Sequence, residues 1–379
     1  MYRHGKGVFH NMKIVCSQAE LSKGVNIVSK AVPTRTTMAI LECILIDASS
    51  DKIKLVANDM EIAIETVIEG RVEERGIIAF DAHFLQEVVS KLPNSDVTIE
   101  TSDKLQAVIT CEKARFEIVG KSGEDFPNIP IIQRNQPIVI SQFTLRETIR
   151  QTIFSIADND KIKILSGELF EITGNKLKVV SLDGHRVSIR NIELKDSYED
   201  KKVIVPGKTL QEIRKIIGGS TEDNTNIFIT DNHIIFEFDQ TVVVSRLLEG
   251  EYFNINQMIS SDYETKVKIN KKDLHSSITR STLMVKEQDK KPIIMNVEDD
   301  KMNLKISSFI GNFDESIDIS KEGKNLQIGF NPKFFIDALN VIDDEEVTIY
   351  MLDYKNPCLI KNDNEDYIYV ILPVNIRES

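Results

Sequence analysis

At 379 residues, 41% of them hydrophobic, the chain is long enough for two or three domains that each bury a core. Its formal net charge of −12 argues, taken alone, against nucleic acid as a partner. Four cysteines (Cys16, Cys43, Cys111, Cys358) without a C-x-x-C pair and six scattered histidines support neither a disulfide framework nor a zinc site, and no metal or other cofactor is expected.

That cysteine usage suits a reducing cytosol, and no apolar run approaches the roughly 20 residues of a membrane span. Residues 1–11 lack a long apolar segment, so they read as a poor signal peptide and a loosely ordered extension, with Met12 as an internal start. Residues 12–16 read as a strand and 17–32 as a helix, which Pro33 ends by disfavouring helix at Val32. A hairpin over 40–47 and 52–58 and the alternating strand 61–69 lead into a helix over 81–92, then short strands at 97–100, 106–110 and 114–119. The two prolines of Glu124-Asp-Phe-Pro-Asn-Ile-Pro130 make a rigid connector.

A second round begins with strand 138–140 and a helix over 141–156. Strands follow at 162–165 and 169–173, a turn at Gly174-Asn175, strand 177–181, the turn Asp183-Gly-His-Arg186, strand 187–192, a helix over 206–217 and a hairpin over 233–239 and 241–247. Gly250-Glu-Tyr-Phe-Asn-Ile-Asn256 stands where the first connector stood. A third round repeats the order from Lys266 to Ile376, with helices over 270–285 and 331–341.

These rounds are copies. A helix start followed by an alternating strand is written at positions 80, 205 and 330, 125 residues apart each time. A second helix opening recurs at Ser17, Ser141 and Asn270, each a residue suited to capping helix N–H groups. The fold class expected is therefore α+β, three repeats of a two-helix, antiparallel-sheet domain over 12–132, 133–258 and 259–379. The six helices hold twelve basic and seven acidic residues, a balance of +5 that leaves −17 for the rest. Helices gathered on one surface would make it basic on an acidic molecule; the plain alternative is that Lys and Arg are good helix formers.

In this context Asp183-Gly184-His185-Arg186, Val203-Ile-Val-Pro206 with Lys208, Ile328-Gly-Phe-Asn331, Asp125-Phe-Pro-Asn128 and Tyr369-Val-Ile-Leu-Pro-Val-Asn-Ile376 stand in an order that resembles the bacterial beta sliding clamps, the processivity subunit of DNA polymerase III. The resemblance spans residues 12–376. It implies a non-catalytic protein of the cytoplasm, acting at the nucleoid. Two chains would close head to tail as a ring around double-stranded DNA, helices inside, held by enclosure rather than grip.

It further implies that Lys23, Arg35, Arg146, Arg150, Lys208, Arg214, Lys271 and Lys272 approach the duplex, and that Phe116, Leu283 and Met284 meet across the dimer interface. A groove for short motifs of the polymerase III catalytic subunit, clamp loader and repair proteins would be formed by Leu165, Leu182, Gly184, His185, Arg186, Val187, Phe253, Met258, Asn331, Phe334, Cys358, Val370, Ile371, Leu372, Pro373 and Val374. There Gly184 would let backbone approach, and His185 and Arg186 would supply polar orientation. Phe253 replaces a usual proline, Gln257 an arginine of some members, and Asn375-Ile376 the usual Arg-Leu ending. Two rival readings are a hydrolase using His185 with Asp183, which lacks a nucleophile motif, and a peptide-binding scaffold that never encloses DNA.

Overall fold

The computed structural model describes residues 11–376 apart from 103, 131, 133, 135, 159–161, 257, 260–261 and 286–290. The expected extension, apart from Asn11, and the Gln257 departure lie outside the described residues. Among the described residues six α-helices form: α1 Gln18–Val28, α2 Ala82–Lys91, α3 Gln142–Thr152, α4 Gly207–Ile216, α5 Lys271–Ser281 and α6 Pro332–Val341. Capping is visible in the side chains. Ser17 accepts from Glu20 N, Asp81 from Phe84 N, Asn270 from Lys272 N and Asp273 N, and Asn331 from Lys333 N. The first helix of each repeat is shorter than its apolar spacing suggested, because its last turn tightens to 3-10 geometry at Ser29–Ala31, Ile153–Ser155 and Thr282–Met284.

Two further expectations are corrected. Residues 162–165 are not a strand: Lys163–Ser166 is a 3-10 turn, held by a Leu165 N to Ile162 O bond. Gly174-Asn175 does not turn the chain back either. The strand Gly167–Leu182 runs through it, with register breaks against Arg186–Pro206 on both sides of Gly174. A bulge absorbs the irregularity that the sequence presents as a hairpin.

The fold is α+β with every described strand pairing antiparallel, and it divides into two compact units: residues up to Phe143 with Glu212–Leu247, and Thr144–Gln211 with residues from Leu248 on. In the first unit a five-stranded sheet runs Arg71–Glu74, Lys13–Ser17, Asp96–Thr101, Gln106–Cys111, Ala114–Val119. A nine-stranded sheet joins first-repeat to second-repeat strands where Ile62–Ile68 pairs with Thr241–Arg246, sealed by the buried Thr66 and Thr241 hydroxyls 2.9 Å apart. Leu21, Val25 and Val28 turn one face of α1 into the core, and Gly24 is there for space: a Cβ would lie 2.6 Å from both Ile68 and Leu55.

The second unit repeats this plan. A seven-stranded sheet joins the second repeat to the third where Arg186–Pro206 pairs with Tyr367–Ile371, and a four-stranded sheet holds Asn312–Asp318, Lys301–Ser307, Ile293–Glu298 and Leu326–Phe330. All four cysteines are free and buried, and burial pushes the Cys16 thiol up to about 12 and raises Cys43, Cys111 and Cys358 as well. No described helix is long and apolar enough to cross a membrane.

A carboxyl group lies among the buried residues of the second unit. Glu168 is fully buried, and the nearby Thr152 hydroxyl donates to Thr148 O at 2.8 Å, leaving both carboxyl oxygens without a hydrogen bond from the described residues. Burial raises its pKa to about 8, with Thr152 opposing slightly. The folded chain therefore holds a proton that the unfolded chain releases near the ordinary value of about 4.3. Its stabilising effect is complete below that value and is lost as pH rises toward 8. The melting temperature of the wild type should fall between pH 5 and pH 8, and Glu168→Gln should flatten that slope; equal slopes in differential scanning calorimetry would contradict the burial argument.

Candidate partner-binding groove

The expected groove residues all lie in the second unit and are organised by the turn between its two longest strands. Asp183 makes that turn: its Oδ1 accepts from the backbone N of His185 at 2.9 Å and of Arg186 at 3.1 Å. Gly184 sits at φ +90, where L side chains are strained, and a Cβ there would meet nothing within 4 Å. Backbone conformation, rather than close approach within the chain, is thus what calls for glycine. Leu372 N donates to His185 O at 2.9 Å and Val374 N to Gly329 O at 2.8 Å, so the last described segment is stitched to the turn and to the third repeat.

Arg186 is the centre of the assembly and is only 9% exposed. Its Nε donates to Asp183 Oδ2 at 2.9 Å, one terminal nitrogen to Asp337 Oδ2 at 2.6 Å and the other to Phe154 O at 2.6 Å. The guanidinium lies 4.7 Å from the Phe334 ring centre and 5.4 Å from that of Phe154. Three of its five N–H donors are used inside the chain, tying the second-repeat turn to α6 of the third repeat. His185 remains exposed, its ring stacked near Phe334 with centres 6.1 Å apart, and is the polar group left at the rim. Asp183 is committed to the turn and to Arg186, so the base-and-orienter pair of the hydrolase reading does not form.

Around this turn the apolar residues separate by strand face. Leu165, Leu182, Val187 and Val370 belong to one buried cluster with Leu169, Tyr252, Ile255 and Leu359, and Met258 packs half-buried against it. Ladder pairing of Val187 with Val370, and of Val370 with Leu359, places this cluster on one face of the seven-stranded sheet. Cys358 and Ile371, paired with each other, belong to the third-repeat core with Phe334 packed against it. They support the site from behind instead of lining it, as the alternation of a strand requires. Asn331 is spent on capping α6. Leu372 and Pro373 are half-buried, while Phe253 and Val374 are 48% and 36% exposed, so the floor is dry and the rim apolar and open. Phe154 and Asp337 were missed by sequence reasoning; Asp337 stands three residues after Phe334 on α6, a spacing that puts both on one helix face.

The other expected residues are placed less uniformly. Lys23, Arg146, Lys208, Arg214 and Lys272 are exposed on helices, and Arg35 is exposed after the first 3-10 turn. Arg150 and Lys271 are engaged within the chain. Arg150 bridges Glu147 at 2.6 Å and Asp343 at 2.8 Å, and Lys271 Nζ donates to Ile342 O at 2.6 Å beyond α6. Phe116 is half-buried on Ala114–Val119, Leu283 is 73% exposed and Met284 half-buried. Phe309 and Ile310, 71% and 47% exposed next to Gly311, extend the apolar patch around Met284 and were not anticipated.

Three antiparallel α+β repeats sharing sheets define a protein of the sliding-clamp type. Family profiles of the DNA polymerase III beta subunit match in order: the N-terminal domain over residues 12–130, the central domain over 139–254 and the C-terminal domain over 256–375. The beta sliding clamp of Staphylococcus epidermidis is 32% identical over 356 residues, 91% of this chain and 94% of its own. A crystal structure assigned as a DNA polymerase III beta subunit from Eubacterium rectale is 66% identical with a TM-score of 0.94, covering 96% of this chain and all of that one. The sliding clamp of Bacillus subtilis is 31% identical with a TM-score of 0.93, covering 97% and 99%. The chain belongs to the DNA polymerase III beta subunit family, the beta sliding clamps, and is a non-catalytic processivity factor.

Removing the Arg186 side chain should expose what it holds. Arg186→Ala leaves Asp183 and Asp337 facing each other without their cation, a change costing about 3 kcal/mol or more. Arg186→Lys should recover only part of this, since an ammonium cannot reach both carboxylates and Phe154 O. Urea unfolding monitored by circular dichroism checks both; midpoints equal to wild type would remove Arg186 from its structural role.

Proposed function

We propose that two copies close head to tail into a ring of six domains, with the repeats over 12–132, 133–258 and 259–379 as the domains, and that duplex DNA passes through it. The observation that carries the reading is two of the open sheet edges, one taken from each unit. Ala114–Val119 ends the five-stranded sheet and Asn312–Asp318 ends the four-stranded sheet, each leaving a row of unpaired backbone groups. Each edge has exposed apolar side chains beside it: Val119 at 78% on the first, Phe309 and Leu283 near the second. An edge of one protomer pairing with the other edge of its partner is a heterologous contact, which yields a ring when the rotation closes. A ring made this way satisfies both edges at once.

Within the ring the exposed basic residues of α1, α3, α4 and α5 supply a sequence-independent attraction to phosphate. Arg150 contributes less because Glu147 and Asp343 already answer its charge, and Lys271 because its ammonium is held on the Ile342 carbonyl. Weak contacts of this kind permit sliding, while enclosure keeps the protein on the duplex. The groove around His185 then receives short, partly apolar segments of the polymerase, the clamp loader and repair proteins. Its dry floor supplies affinity, and the open rim at Phe253 and Val374 sets preference.

After loading on nicked circular DNA, the protein should stay bound through gel filtration and be lost once the circle is linearised. Neutralising Lys23, Arg146, Arg214 and Lys272 together should lower loading at least several-fold at 0.15 M salt. Retention that survives linearisation would identify an ordinary binder instead of a ring. Separately, Leu283→Asp places a charge in the apolar patch and should shift equilibrium sedimentation from dimer to monomer; an unaltered dimer would place the interface elsewhere.

A further inference from the structure

The groove has a counterpart at the junction of the first and second repeats, inside the other unit. At Asp59 the same turn is built: its Oδ1 accepts from Glu61 N at 3.0 Å and from Ile62 N at 2.7 Å, as Asp183 does from the amides two and three residues on. Met60 takes the place of Gly184 and the same left-handed backbone, with φ 74 against 90. Arg246 N donates to Glu61 O at 3.0 Å, as Leu372 N does to His185 O. Ala63 pairs with Val244 across the shared sheet as Val187 pairs with Val370. The connector passes alongside both, with Ile129 packed against the cluster that holds Val244 at the first and Tyr252 and Ile255 in the cluster of Val187 and Val370 at the second.

A pocket of about 290 Å³ lies at this turn, walled by Ile62, Ala63, Val244 and Pro130, with Met60, 53% exposed, at its mouth. It adjoins a cleft of about 800 Å³ along the connector, sharing Asn128, Pro130 and Val244 with it. Its size is that of one small apolar side chain and its flanking backbone. Its chemistry differs from that of the His185 groove. Isoleucine stands where the groove has the buried, paired Arg186, and the cation at the wall is Arg246, exposed and held by no ion pair among the described residues. Burial and then the Arg246 charge hold His233 below its usual range, so Arg246 supplies the positive charge facing the pocket. Glu61, exposed and joined to Arg246 through its backbone carbonyl, lines the same pocket.

We infer that the first–second junction is a second docking site for an extended segment of a partner protein, one that lays a small apolar side chain over the paired Ala63 and Val244 and sets an adjacent carboxylate on Arg246. The inference rests on the reading of the His185 groove as a peptide site, since the two share one turn and one sheet register. Met60, with a flexible thioether in place of a bare glycine, makes the entrance adjustable.

The test uses the full chain with methyl groups of Met, Ile and Val isotope-labelled, titrated with the tetrapeptide Ac-Ala-Leu-Asp-Ala-NH2 and followed by NMR. Shifts at Met60, Ile62 and Val244 that saturate are expected. They should need at least tenfold more peptide when lysine replaces the aspartate or in the Arg246→Glu variant. Shifts confined to Val187, Met258 and Val370 would overturn this inference and leave the groove reading standing. Shifts at Met60 and Val244 alone would support it against that reading. Shifts at neither place, or a titration indifferent to Arg246→Glu, would overturn it.

Discussion

A strand that ends a repeat leaves a row of N–H and C=O groups that must find partners or face water. In this chain the repeats solve the problem for one another. Ile62–Ile68 meets Thr241–Arg246, and Arg186–Pro206 meets Tyr367–Ile371, so the nine-stranded and the seven-stranded sheet are each continued by the next copy of the same domain. Backbone ladders fix register to the residue, because a slip by one would turn every buried side chain outward. The turns at Asp59 and Asp183 stand at the ends of those ladders, and their positions follow from that pairing. The candidate groove thus lies where two repeats meet.

The two junctions share geometry but diverge in charge. At one, a buried arginine is surrounded by two carboxylates, a carbonyl and two rings, and acts as a joint between second and third repeats. At the other, the same position is Ile62, and the arginine has moved to an exposed strand end at 246. Removing a buried cation from its partners is far costlier than altering an exposed one, so the second junction is freer to vary. Related surfaces on one fold thus carry different charge.

Much of this was legible in the residues. The 125-residue spacing announced three domains, and Ser17, Asp81, Asn270 and Asn331 marked helix starts to within a residue. The helix ends were less legible, since the apolar spacing that continues through Ile153 and Leu283 is compatible with both α and 3-10 turns. Gly174-Asn175 misled because the composition of a bulge and of a hairpin turn is the same. In the groove, sequence placed the right segments together but could not tell which face of a strand each residue occupied. Cys358 and Ile371 fell on the core side, and the partners of Arg186 depended on α6 packing that no local pattern encodes.

The four buried thiols carry a practical implication. A sulfhydryl held well above its ordinary ionisation range and out of contact with water is a poor nucleophile, because the thiolate is the reacting species. Maleimide probes offered to the native chain find no ready target among them. A single cysteine engineered at an exposed position would then be tagged selectively, allowing two protomers to be watched opening and closing by fluorescence without first stripping the protein of its own sulfur.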